Sequence, residues 1–481
     1  MKEDGLILQF QIFCEETKPG QEVYVTGDII ELGEWKIEKA LRLYGNNYPI
    51  WQSEFIKFKN KPTLEYKYIF KHPEEKDKDK VTWEHFDGNR KLELSTLKDG
   101  IYSIDNGNFN DKNHQNITLI EDKIQDEKVP EKKKNISSKK GLDNIGATCY
   151  MNSTLQCFCH IEKLIMYFKY NPRIINDKRK DTLTYSFKLL INKLWPDDSS
   201  NDNYDSFSPY EFKEKISKMD PLFAGIAAND AKDLVNFIIM KLHDELNKAN
   251  INSININNNN IDQTNPKEVF KYFVQNFKAR NQSIISDMFY AMNQTITKCE
   301  KCRIKLYNYQ IYFFLVFPLE EVRKYKYPNN NNNNVVSIFD CFDNERKINY
   351  MSGLNQIYCN ICKMNTNAKT MTKLMVGPDI LILLLNRGKG LQFNVKIIFD
   401  EYLDLNNYIE YKNTGYKYKL IGVITHIGEN GNGGHFIAYC RDPGIDAWSK
   451  YNDSIVTDVH DFKKEVIDFA NPYLLFYKKY F

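Results

Sequence analysis

The spacing of apolar residues along the chain changes near residue 105 and again near residue 141. Before residue 105, short apolar runs separated by turn residues (6–13, 22–26 and 64–70) predict β-strands. From residue 141 the pattern is mixed and opens with helical spacing, in which apolar residues recur every three or four positions. The apolar faces of two predicted helices are Met151, Leu155, Phe158, Ile161 and Ile165, and Leu234, Ile238, Leu242 and Leu246.

The end of the chain predicts strands once more, at residues 420–426, 435–441 and 473–480. Two asparagine-rich tracts, residues 251–260 and 329–334, interrupt the region before them. Such tracts carry little packing information, so they predict loop insertions within a folded domain.

A polar segment separates the two regions. Residues 105–140 are rich in lysine and asparagine and contain Pro130, a composition that predicts a flexible linker. The chain is therefore predicted to consist of a β-rich domain at residues 1–104, the linker, and a larger domain at residues 141–481.

Composition narrows the classes of protein that fit. Of the 481 residues, 42% are hydrophobic and 14% aromatic, which is enough to bury a sizeable core. Lysine and arginine number 66 against 63 acidic residues, so no excess of base indicates nucleic acid or a membrane surface as the main partner. The first residues (MKED) carry acid where a signal peptide carries base, and Gln9 and Gln11 interrupt the short apolar stretch behind them. The longest apolar run elsewhere is far below the roughly 18 residues of a membrane span. We expect a soluble, cytoplasmic protein.

One cysteine stands where a nucleophile could act. Residues 141–153 (GLDNIGATCYMNS) run a glycine-containing turn into the first predicted helix, with Cys149 at its start. The N-terminus of a helix favours a thiolate, and the backbone N–H of Cys149 with the Asn144 side chain could donate to an oxyanion. The alternative is a small buried core cysteine, which is the interpretation adopted for Cys157 and Cys159.

A thiolate needs a base, and His435 is the candidate. It enters a predicted strand behind Gly433 and Gly434, and these glycines permit close approach of a substrate tail. Downstream, Asn452 or Asp453 could orient the imidazole through its second nitrogen. The alternative is a structural histidine, which is the prediction for the others, His426 included.

Together these segments resemble the ubiquitin-specific proteases, the papain-like deubiquitinase family. Residues 141–156 resemble the family's cysteine box, residues 434–454 its histidine box, and residues 471–477 its terminal strand. Residues 229–234 (NDAKDL) resemble the box between them, although Asn229 departs from the usual paired glutamines. The resemblance covers residues 141–481 and implies an α+β catalytic domain with a zinc-binding β fingers region.

The resemblance implies hydrolysis of the bond after the C-terminal Gly-Gly of ubiquitin, with ubiquitin and ubiquitinated proteins as partners and no catalytic cofactor. Cys149 would attack the carbonyl and His435 would take its proton. Asn452 would orient His435 with Asp453 in support, and Asn144 would help to hold the oxyanion. The order of Asn452 and Asp453 stays open, because an amide orients imidazole and an acid also stabilises imidazolium.

Four of the ten cysteines form two Cys-x-x-Cys pairs, Cys299 with Cys302 and Cys359 with Cys362. Four thiolates suit a tetrahedral structural zinc ion, and the alternative is four reduced cysteines without metal. The family resemblance supports one zinc ion, because the fingers of many relatives bind zinc at two such pairs. A catalytic metal is not expected, since neither pair has a histidine or carboxylate at ligand spacing.

The first domain carries three spaced tryptophans, Trp35, Trp51 and Trp83. Exposed indoles can lie against sugar rings while a lysine donates to hydroxyls, and the alternative is that all three belong to a β-sandwich core. The order of motifs over residues 5–100 resembles carbohydrate-binding module family 20, the starch-binding domains. That resemblance implies an antiparallel β-sandwich in which Trp35, Lys67 and Trp83 bind α-glucan and Trp51 is buried.

Three functions are weighed. The leading one is a deubiquitinating thiol protease that its N-terminal module recruits to glycogen or starch-like granules. The second is a catalytically inactive scaffold that binds ubiquitin and glucan, and the third is a glycan-binding protein with a structural C-terminal half. Release of a fluorophore from the C-terminus of ubiquitin separates the first from the others.

Overall fold

A computed structural model describes residues 6–18, 20–47, 49–53, 56–58, 63–97, 100–122, 139–170, 180–196, 205–249, 261–329, 333–388, 394–411, 415–428, 433–468 and 471–480. The chain divides into two units, one of Met1–Glu131 with Glu410–Gly415 and a larger one of Lys132–Ile409 with Tyr416–Phe481. Among the described residues no helix combines the length and the apolar composition needed to cross a membrane.

The first unit consists of strands. They are β1 (Leu6–Phe13), β2 (Glu22–Gly27), β3 (Leu41–Asn47), β4 (Ile50–Ser53), β5 (Ile56–Phe58), β6 (Thr63–Lys71), β7 (Thr82–Trp83), β8 (Arg90–Glu93), β9 (Gly100–Asn108) and β10 (Asn116–Asp122).

These strands form the predicted β-sandwich. Their order is β10-β9-β1-β4-β3-β2-β6-β7, with β5 beside β1 and β8 beside β6. β3 joins the two layers, because its Leu43 pairs with β4 whereas its Leu41 pairs with β2. Alternate residues of β1, namely Leu8, Phe10 and Ile12, are fully buried, as expected for a strand with one face on the core.

One pair of strands departs from the antiparallel arrangement expected. β1 and β9 run parallel, with Ile7 opposite Ile101 and Phe10 opposite Ile104. Parallel neighbours need a long connection, and the chain from β1 to β9 supplies one by passing through the whole of the sandwich. The remaining paired strands of this unit are antiparallel.

The first part of the predicted linker is folded. Residues 105–108 complete β9, and β10 pairs with β9 in antiparallel register. Asn106 shows the physical reason, because it is fully buried and its Oδ1 accepts hydrogen bonds from the hydroxyls of Tyr66 (3.2 Å) and Tyr68 (2.6 Å). A polar residue satisfied inside a core resembles a linker residue when only the sequence is read. Residues 123–138 of the predicted linker lie outside the described residues.

The second unit mixes helices and strands. Its helices are α1 (Cys149–Cys159), α2 (Glu162–Tyr170), α3 (Leu183–Leu194), α4 (Tyr210–Met219), α5 (Ala231–Leu246), α6 (Pro266–Arg280), α7 (Ile284–Phe289), α8 (Leu319–Lys326) and α9 (Ile338–Glu345). Its strands are β11 (Gly141–Leu142), β12 (Ser206–Phe207), β13 (Ala291–Cys299), β14 (Lys305–Tyr312), β15 (Leu315–Pro318), β16 (Val335–Ser337), β17 (Asn349–Met351), β18 (Ile357–Cys359), β19 (Met364–Thr366), β20 (Ala368–Val376), β21 (Ile380–Asn386), β22 (Lys396–Ile398), β23 (Tyr402–Asp404), β24 (Lys417–Ile427), β25 (His435–Arg441), β26 (Trp448–Asn452), β27 (Ile455–Asp458) and β28 (Pro472–Tyr480).

A central sheet of eight strands organises this unit. Its order is β15-β21-β28-β24-β25-β26-β27, with β23 beside β24, so the predicted strands at 420–426, 435–441 and 473–480 correspond to β24, β25 and β28. Both faces are covered: Ile382 packs into the core formed with α1 to α5 and α7, and Leu383 packs into the core formed with α8 and α9. Burial on both faces explains the unbroken apolar run of β21.

A second sheet, β14-β13-β20-β17, is antiparallel, and we call it the finger sheet. The hairpin pair β18 and β19 follows β17 along the chain. The asparagine-rich tract 251–260 lies outside the described residues, as does the middle of the tract 329–334.

The helix predicted across residues 151–165 is two helices. α1 ends at Cys159 and α2 begins at Glu162, while the predicted face residues at 158, 161 and 165 are all buried. His160 stands at the break, where its Nδ1 donates to the carbonyl oxygen of Gln156 (2.7 Å) and its Nε2 accepts from the Tyr451 hydroxyl (2.9 Å). These side-chain bonds hold the chain at a corner that apolar periodicity alone does not reveal.

Candidate functional site

The turn before α1 presents Cys149. Gly146 and Ala147 have positive φ angles of 114° and 48°, so the chain reverses tightly before the helix begins. The Asn144 Oδ1 accepts hydrogen bonds from the backbone N–H groups of Gly146 (3.3 Å) and Thr148 (3.1 Å). These bonds fix the turn that leads into the helix N-terminus, where the backbone N–H groups have no partner within the helix.

His435 begins β25 behind two glycines, as predicted. Gly433 and Gly434 have φ angles of 77° and 146°, and a Cβ on Gly434 would lie 2.4 Å from the ring of His426, so only glycine fits. The backbone N–H of Phe436 is close enough to the Cys149 sulfur to lower the pKa of that thiol. The nucleophile candidate therefore lies against the first residues of the strand that carries the base candidate.

The imidazole is held by an amide. The His435 Nε2 donates to the Asn452 Oδ1 at 2.6 Å, whereas the nearest carboxylate oxygen of Asp453 is 3.9 Å from the same nitrogen. Asn452 is therefore the residue that orients the ring. The hydrogen bond occupies Nε2, which leaves Nδ1 as the ring nitrogen for a proton from the thiol.

Asp453 is bound elsewhere. Its Oδ2 accepts from the Asn144 Nδ2 (2.9 Å) and its Oδ1 accepts from the Asn152 Nδ2 (2.8 Å), so its carboxylate is tied to the cysteine turn rather than to the imidazole. The support to His435 expected from the sequence is reduced to a longer-range charge interaction. Asn144 keeps one Nδ2 hydrogen for the oxyanion role expected of it.

Burial raises the pKa of the Cys149 thiol above its ordinary value, and Asp453 raises it further. The N–H of Phe436 and the first amides of α1 lower this pKa. The helix N-terminus acts in the direction predicted from the sequence, but desolvation of the thiol outweighs it.

The structure adds a row of side chains beside His435. The Tyr473 hydroxyl donates to both carboxylate oxygens of Asp230 (2.7 and 2.8 Å), and Asp230 is also the N-cap of α5. The Tyr473 ring contacts that of Phe436, which contacts that of His426 with centroids 4.8 Å apart. His426, predicted to be structural, belongs to this row, and burial lowers its pKa. No sequence pattern pairs residue 230 with residue 473, because one is the N-cap of α5 and the other lies in β28, and only the tertiary fold brings them together.

The two Cys-x-x-Cys pairs meet beside the finger sheet. Both pairs fold alike, because the N–H groups of Arg303 and Lys363 donate to the carbonyl oxygens of Cys299 (3.0 Å) and Cys359 (2.8 Å). Arg303 and Lys363 both have positive φ, 65° and 55°. The sulfur atoms all lie within 4.8 Å of one another, and together they could hold a metal ion; they belong to Cys299, Cys302, Cys359 and Cys362.

The donor chemistry of this cluster fits a closed site for a tetrahedral ion. All four donors are sulfur atoms, which favours a soft divalent metal and leaves no position for a reacting water. A hydrogen bond from the Thr366 hydroxyl, 3.3 Å from the Cys299 sulfur, lowers the pKa of Cys299 to about 6. A thiol with a lowered pKa is readily available as the thiolate that binds metal.

In the first unit the predicted glucan-binding residues lie near one another in register. Lys67 of β6 is opposite Thr26 of β2, and the N–H of Trp35 bonds to the carbonyl oxygen of Gly27, the next residue of β2 (2.8 Å). Trp83 of β7 is opposite Ile69, two positions along β6 from the lysine and therefore on the same face.

The exposure of the tryptophans follows the predicted division. Trp35 and Trp83 are partly exposed, whereas Trp51 is 1% exposed and its Nε1 donates to the carbonyl oxygen of Cys14 (3.0 Å). The Lys67 ammonium donates to the carbonyl oxygens of Phe86 (2.9 Å) and Glu84 (3.4 Å), which holds it in place beside Trp83.

Comparison with family models gives two matches. Residues 140–477 match the model described as ubiquitin carboxyl-terminal hydrolase, which covers well over half of the chain. Residues 6–102 match the model described as starch binding domain.

Curated relatives of the chain have the same name as the larger model. Ubiquitin carboxyl-terminal hydrolase 2 of Homo sapiens is 28% identical over 356 residues, which cover 70% of this chain and 54% of that protein. The protein of that name from Gallus gallus is 27% identical over 360 residues, which cover 73% of this chain and 96% of that protein. The chain spans about half the length of the human relative.

Solved structures show the same fold. A chain of the SAGA DUB module Ubp8/Sgf11/Sus1/Sgf73 bound to monoubiquitin superposes with a TM-score of 0.53 at 21% identity, covering 73% of this chain and 70% of that one. The same module bound to ubiquitin aldehyde gives a TM-score of 0.52 at 21% identity.

Proposed function

The chain belongs to the ubiquitin carboxyl-terminal hydrolase family, and from this premise we propose that it is a thiol-dependent deubiquitinase that hydrolyses the bond after the C-terminal glycine of ubiquitin in conjugates. The observation that carries the proposal is the hydrogen bond of 2.6 Å between His435 and Asn452. His435 begins a strand whose next amide, that of Phe436, acts on the Cys149 thiol and lowers its pKa. The names of the curated relatives and the ubiquitin-bound state of similar solved structures support ubiquitin as the partner.

The reaction proceeds through a thioester. As Cys149 attacks the carbonyl of the last ubiquitin glycine, its proton moves to the Nδ1 of His435, which Asn452 keeps in orientation through Nε2. The imidazolium then protonates the leaving amine, the C–N bond breaks, and ubiquitin stays bound to the sulfur. A water that loses its proton to His435 attacks the thioester and releases the ubiquitin carboxylate and the free thiol.

The negative charge on the attacked carbonyl oxygen has two donors, the backbone N–H of Cys149 and the Nδ2 hydrogen of Asn144 that Asp453 does not accept. Loss of one such donor lowers the rate about 100- to 1000-fold in comparable sites. Because burial raises the pKa of Cys149, the chain alone holds a neutral thiol, and proton transfer to His435 accompanies the attack.

The glycine tail is proposed to enter between the start of α1 and the segment from Gly433 to His435. A Cβ on Gly433 would meet no atom within 4 Å, so this residue faces open space, whereas Gly434 must be glycine because it packs against His426. A tail with larger side chains is rejected by steric clash, which gives specificity for a diglycine terminus.

Release of a fluorophore from the C-terminus of ubiquitin tests the activity. We expect release by the parent and none by Cys149→Ala, whereas Cys159→Ala, a substitution of a fully buried cysteine in the same helix, retains activity. No release by a folded parent that binds ubiquitin would favour the inactive scaffold instead.

The metal of the four-cysteine cluster is proposed to be one structural zinc ion. The all-sulfur donor set and the paired folding of the two Cys-x-x-Cys turns support it. The ion would hold the turns together and take no part in the reaction.

The first unit is proposed to bind α-glucan and to recruit the enzyme to glycogen or starch-like granules in the cytoplasm. The match to a starch binding domain and the partial exposure of Trp35 and Trp83 around Lys67 support this proposal. Co-sedimentation with glycogen should be lost in Trp35→Ala with Trp83→Ala and kept in Tyr44→Ala, a partly exposed aromatic of β3. Equal sedimentation of all variants, or sedimentation with cellulose as well, would reject it.

A further inference from the structure

A buried asparagine of α1 has no role in the reaction described so far. Asn152 follows Cys149 by three residues and is 2% exposed. Its Nδ2 donates to the carbonyl oxygens of Leu142 (3.1 Å) and Asp143 (3.2 Å) and to the Asp453 Oδ1 (2.8 Å). Its own Oδ1 finds no hydrogen-bond partner among the described residues. Only the Nδ2 group of this amide forms hydrogen bonds, which indicates that position 152 requires a hydrogen-bond donor.

Asp453, whose carboxylate accepts this hydrogen bond, is fixed by hydrogen bonds to its side chain and to its backbone. Asp453 accepts from Asn152 through Oδ1 and from Asn144 through Oδ2 (2.9 Å), and its carbonyl oxygen accepts from the N–H of Leu142 (2.9 Å). Its φ angle of 52° is one that a residue other than glycine rarely adopts, and such a conformation persists only where its surroundings enforce it.

We propose that Asn152 is a positioning residue of the hydrolysis, which acts through Asp453 on the oxyanion donor Asn144. Asn152 fixes one oxygen of the carboxylate, and the other oxygen fixes the amide of Asn144. The Nδ2 hydrogen of Asn144 that remains is thereby aimed at the attacked carbonyl oxygen. This inference rests on the proposed deubiquitinase function.

The substitution Asn152→Asp tests the chain of bonds with almost no change of shape. The variant has a carboxyl group at position 152 that faces the carboxylate of Asp453. While the two groups share one proton, a hydrogen bond still joins them. When both are ionised, they repel each other. We expect the ratio of variant to parent kcat to fall at least about tenfold between pH 5.5 and pH 8, with KM changed less than about twofold.

Two described titratable groups face Asp453, namely His435, 3.9 Å away, and Cys149, whose pKa Asp453 raises. A carboxylate added at position 152 acts on these groups as well as on Asp453. The ratio is therefore read against the swap described next, which carries a single carboxylate across positions 152 and 453. Asn344→Asp, at a buried asparagine of α9 whose oxygen accepts from Lys347, is the matched control and should follow the parent at every pH.

A swap decides whether the bond between positions 152 and 453 is responsible. Asn152→Asp combined with Asp453→Asn restores a donor facing an acceptor without like charges, and the new amide oxygen can still accept from Asn144. We expect the pH dependence of the ratio to disappear and kcat at pH 8 to recover at least about fivefold over Asn152→Asp. Recovery is incomplete, because the carbonyl groups of Leu142 and Asp143 lose their donor.

Each outcome decides the inference. A ratio that stays level with pH, or a swap no more active than the single variant, overturns it. Melting temperatures at pH 5.5 and 8 supply a readout that needs no turnover: the single variant should lose stability as pH rises and the swap should not. If Asn152→Asp does not fold at pH 8, a swap that is no more stable overturns the inference as well. An inactive parent would reject the proposed function, while the melting data would still test the bond.

Discussion

The four-cysteine cluster and the candidate active site are both built around cysteine sulfur, but they are assembled in opposite ways. Each Cys-x-x-Cys turn closes on itself through one backbone hydrogen bond and a residue with positive φ, so two local pieces suffice. The active site joins the start of α1, the start of β25 and the end of β26, which only the central sheet brings together.

The two sites also shift the pKa of their thiols in opposite directions. A hydroxyl hydrogen bond lowers the pKa of Cys299 to about 6, whereas burial raises the pKa of Cys149. The Cys299 thiol is thus disposed to ionise, whereas burial disfavours the thiolate of Cys149. Substitutions in the cluster should therefore affect stability before rate, and substitutions in the active site should affect rate before stability.

The largest effect is expected from removal of a metal ligand. Structural zinc supplies roughly 10–16 kcal/mol to small zinc-binding peptides, so Cys359→Ala should remove the bound ion and lower the free energy of unfolding by several kcal/mol. Cys341→Ala, at a fully buried cysteine of α9, should lower it by only about 1 kcal/mol. Metal content per chain and denaturant unfolding measure both, and one ion still bound to Cys359→Ala would contradict the assignment.

The next effect concerns the residue that orients the base. Asn452→Ala removes the acceptor for the His435 Nε2, and we expect kcat to fall about 100- to 1000-fold with KM nearly unchanged. Asn452→Asp keeps an acceptor at that place and should retain most of the activity. Steady-state hydrolysis of fluorogenic ubiquitin checks this, and a loss below about threefold in the alanine variant would exclude Asn452 from the role.

A smaller effect should appear in the pH dependence of stability. Burial lowers the pKa of His160 from 6.5 to about 4, so the folded unit holds the imidazole neutral while the unfolded chain takes up a proton. The stability from this group is complete above pH 6.5 and is lost as the pH falls to 4, about 3 kcal/mol in total.

His160→Gln removes that titration. Between pH 7 and pH 4 the parent should lose about 3 kcal/mol more stability than this variant, as measured by denaturant unfolding at each pH. His460→Gln, at an exposed histidine of the same unit, should behave as the parent does. Parallel curves for the parent and His160→Gln would show that the imidazole is not held neutral.

The smallest effect is a shift in the pH dependence of Cys149 alkylation. Because burial raises the pKa of Cys149, its alkylation by iodoacetamide in the absence of ubiquitin should increase about tenfold per pH unit from 7 to 9. Asp453→Asn removes a charge that raises this pKa and should shift the curve to lower pH. Peptide mass spectrometry follows the labelling, and a plateau reached below pH 7 would contradict the raised pKa.

The parts of the molecule that were predictable from sequence are those carried by short segments. The positions of Cys149 and His435, the two cysteine pairs, and the strands β24, β25 and β28 all follow from local motifs or periodicity. The choice between Asn452 and Asp453 did not, because Asn452 ends β26 whereas Asp453 begins the turn after it with a positive φ, and only the structure shows which one meets the imidazole.

Two predictions, a linker that begins at residue 105 and a single helix across residues 151–165, were wrong because polar residues in these segments are buried. Asn106 is polar but lies inside the sandwich, so the segment around it was predicted to be a linker, and His160 ends α1 through contacts with a residue nearly 300 positions away. The pairing of Asp230 with Tyr473 is of the same kind. In each case a tertiary hydrogen bond determines the local structure.

The separation of the two cysteine turns along the chain has a consequence for how this protein can change in length. A metal bridge between them would close a loop over residues 303–358 in the unfolded chain, and the entropy of closing a flexible loop grows only with the logarithm of its length. Doubling the loop would cost about 0.6 kcal/mol, little compared with what a structural ion supplies. The asparagine tract at residues 329–334 lies inside that loop, so a longer tract would add little to the entropy of closing it.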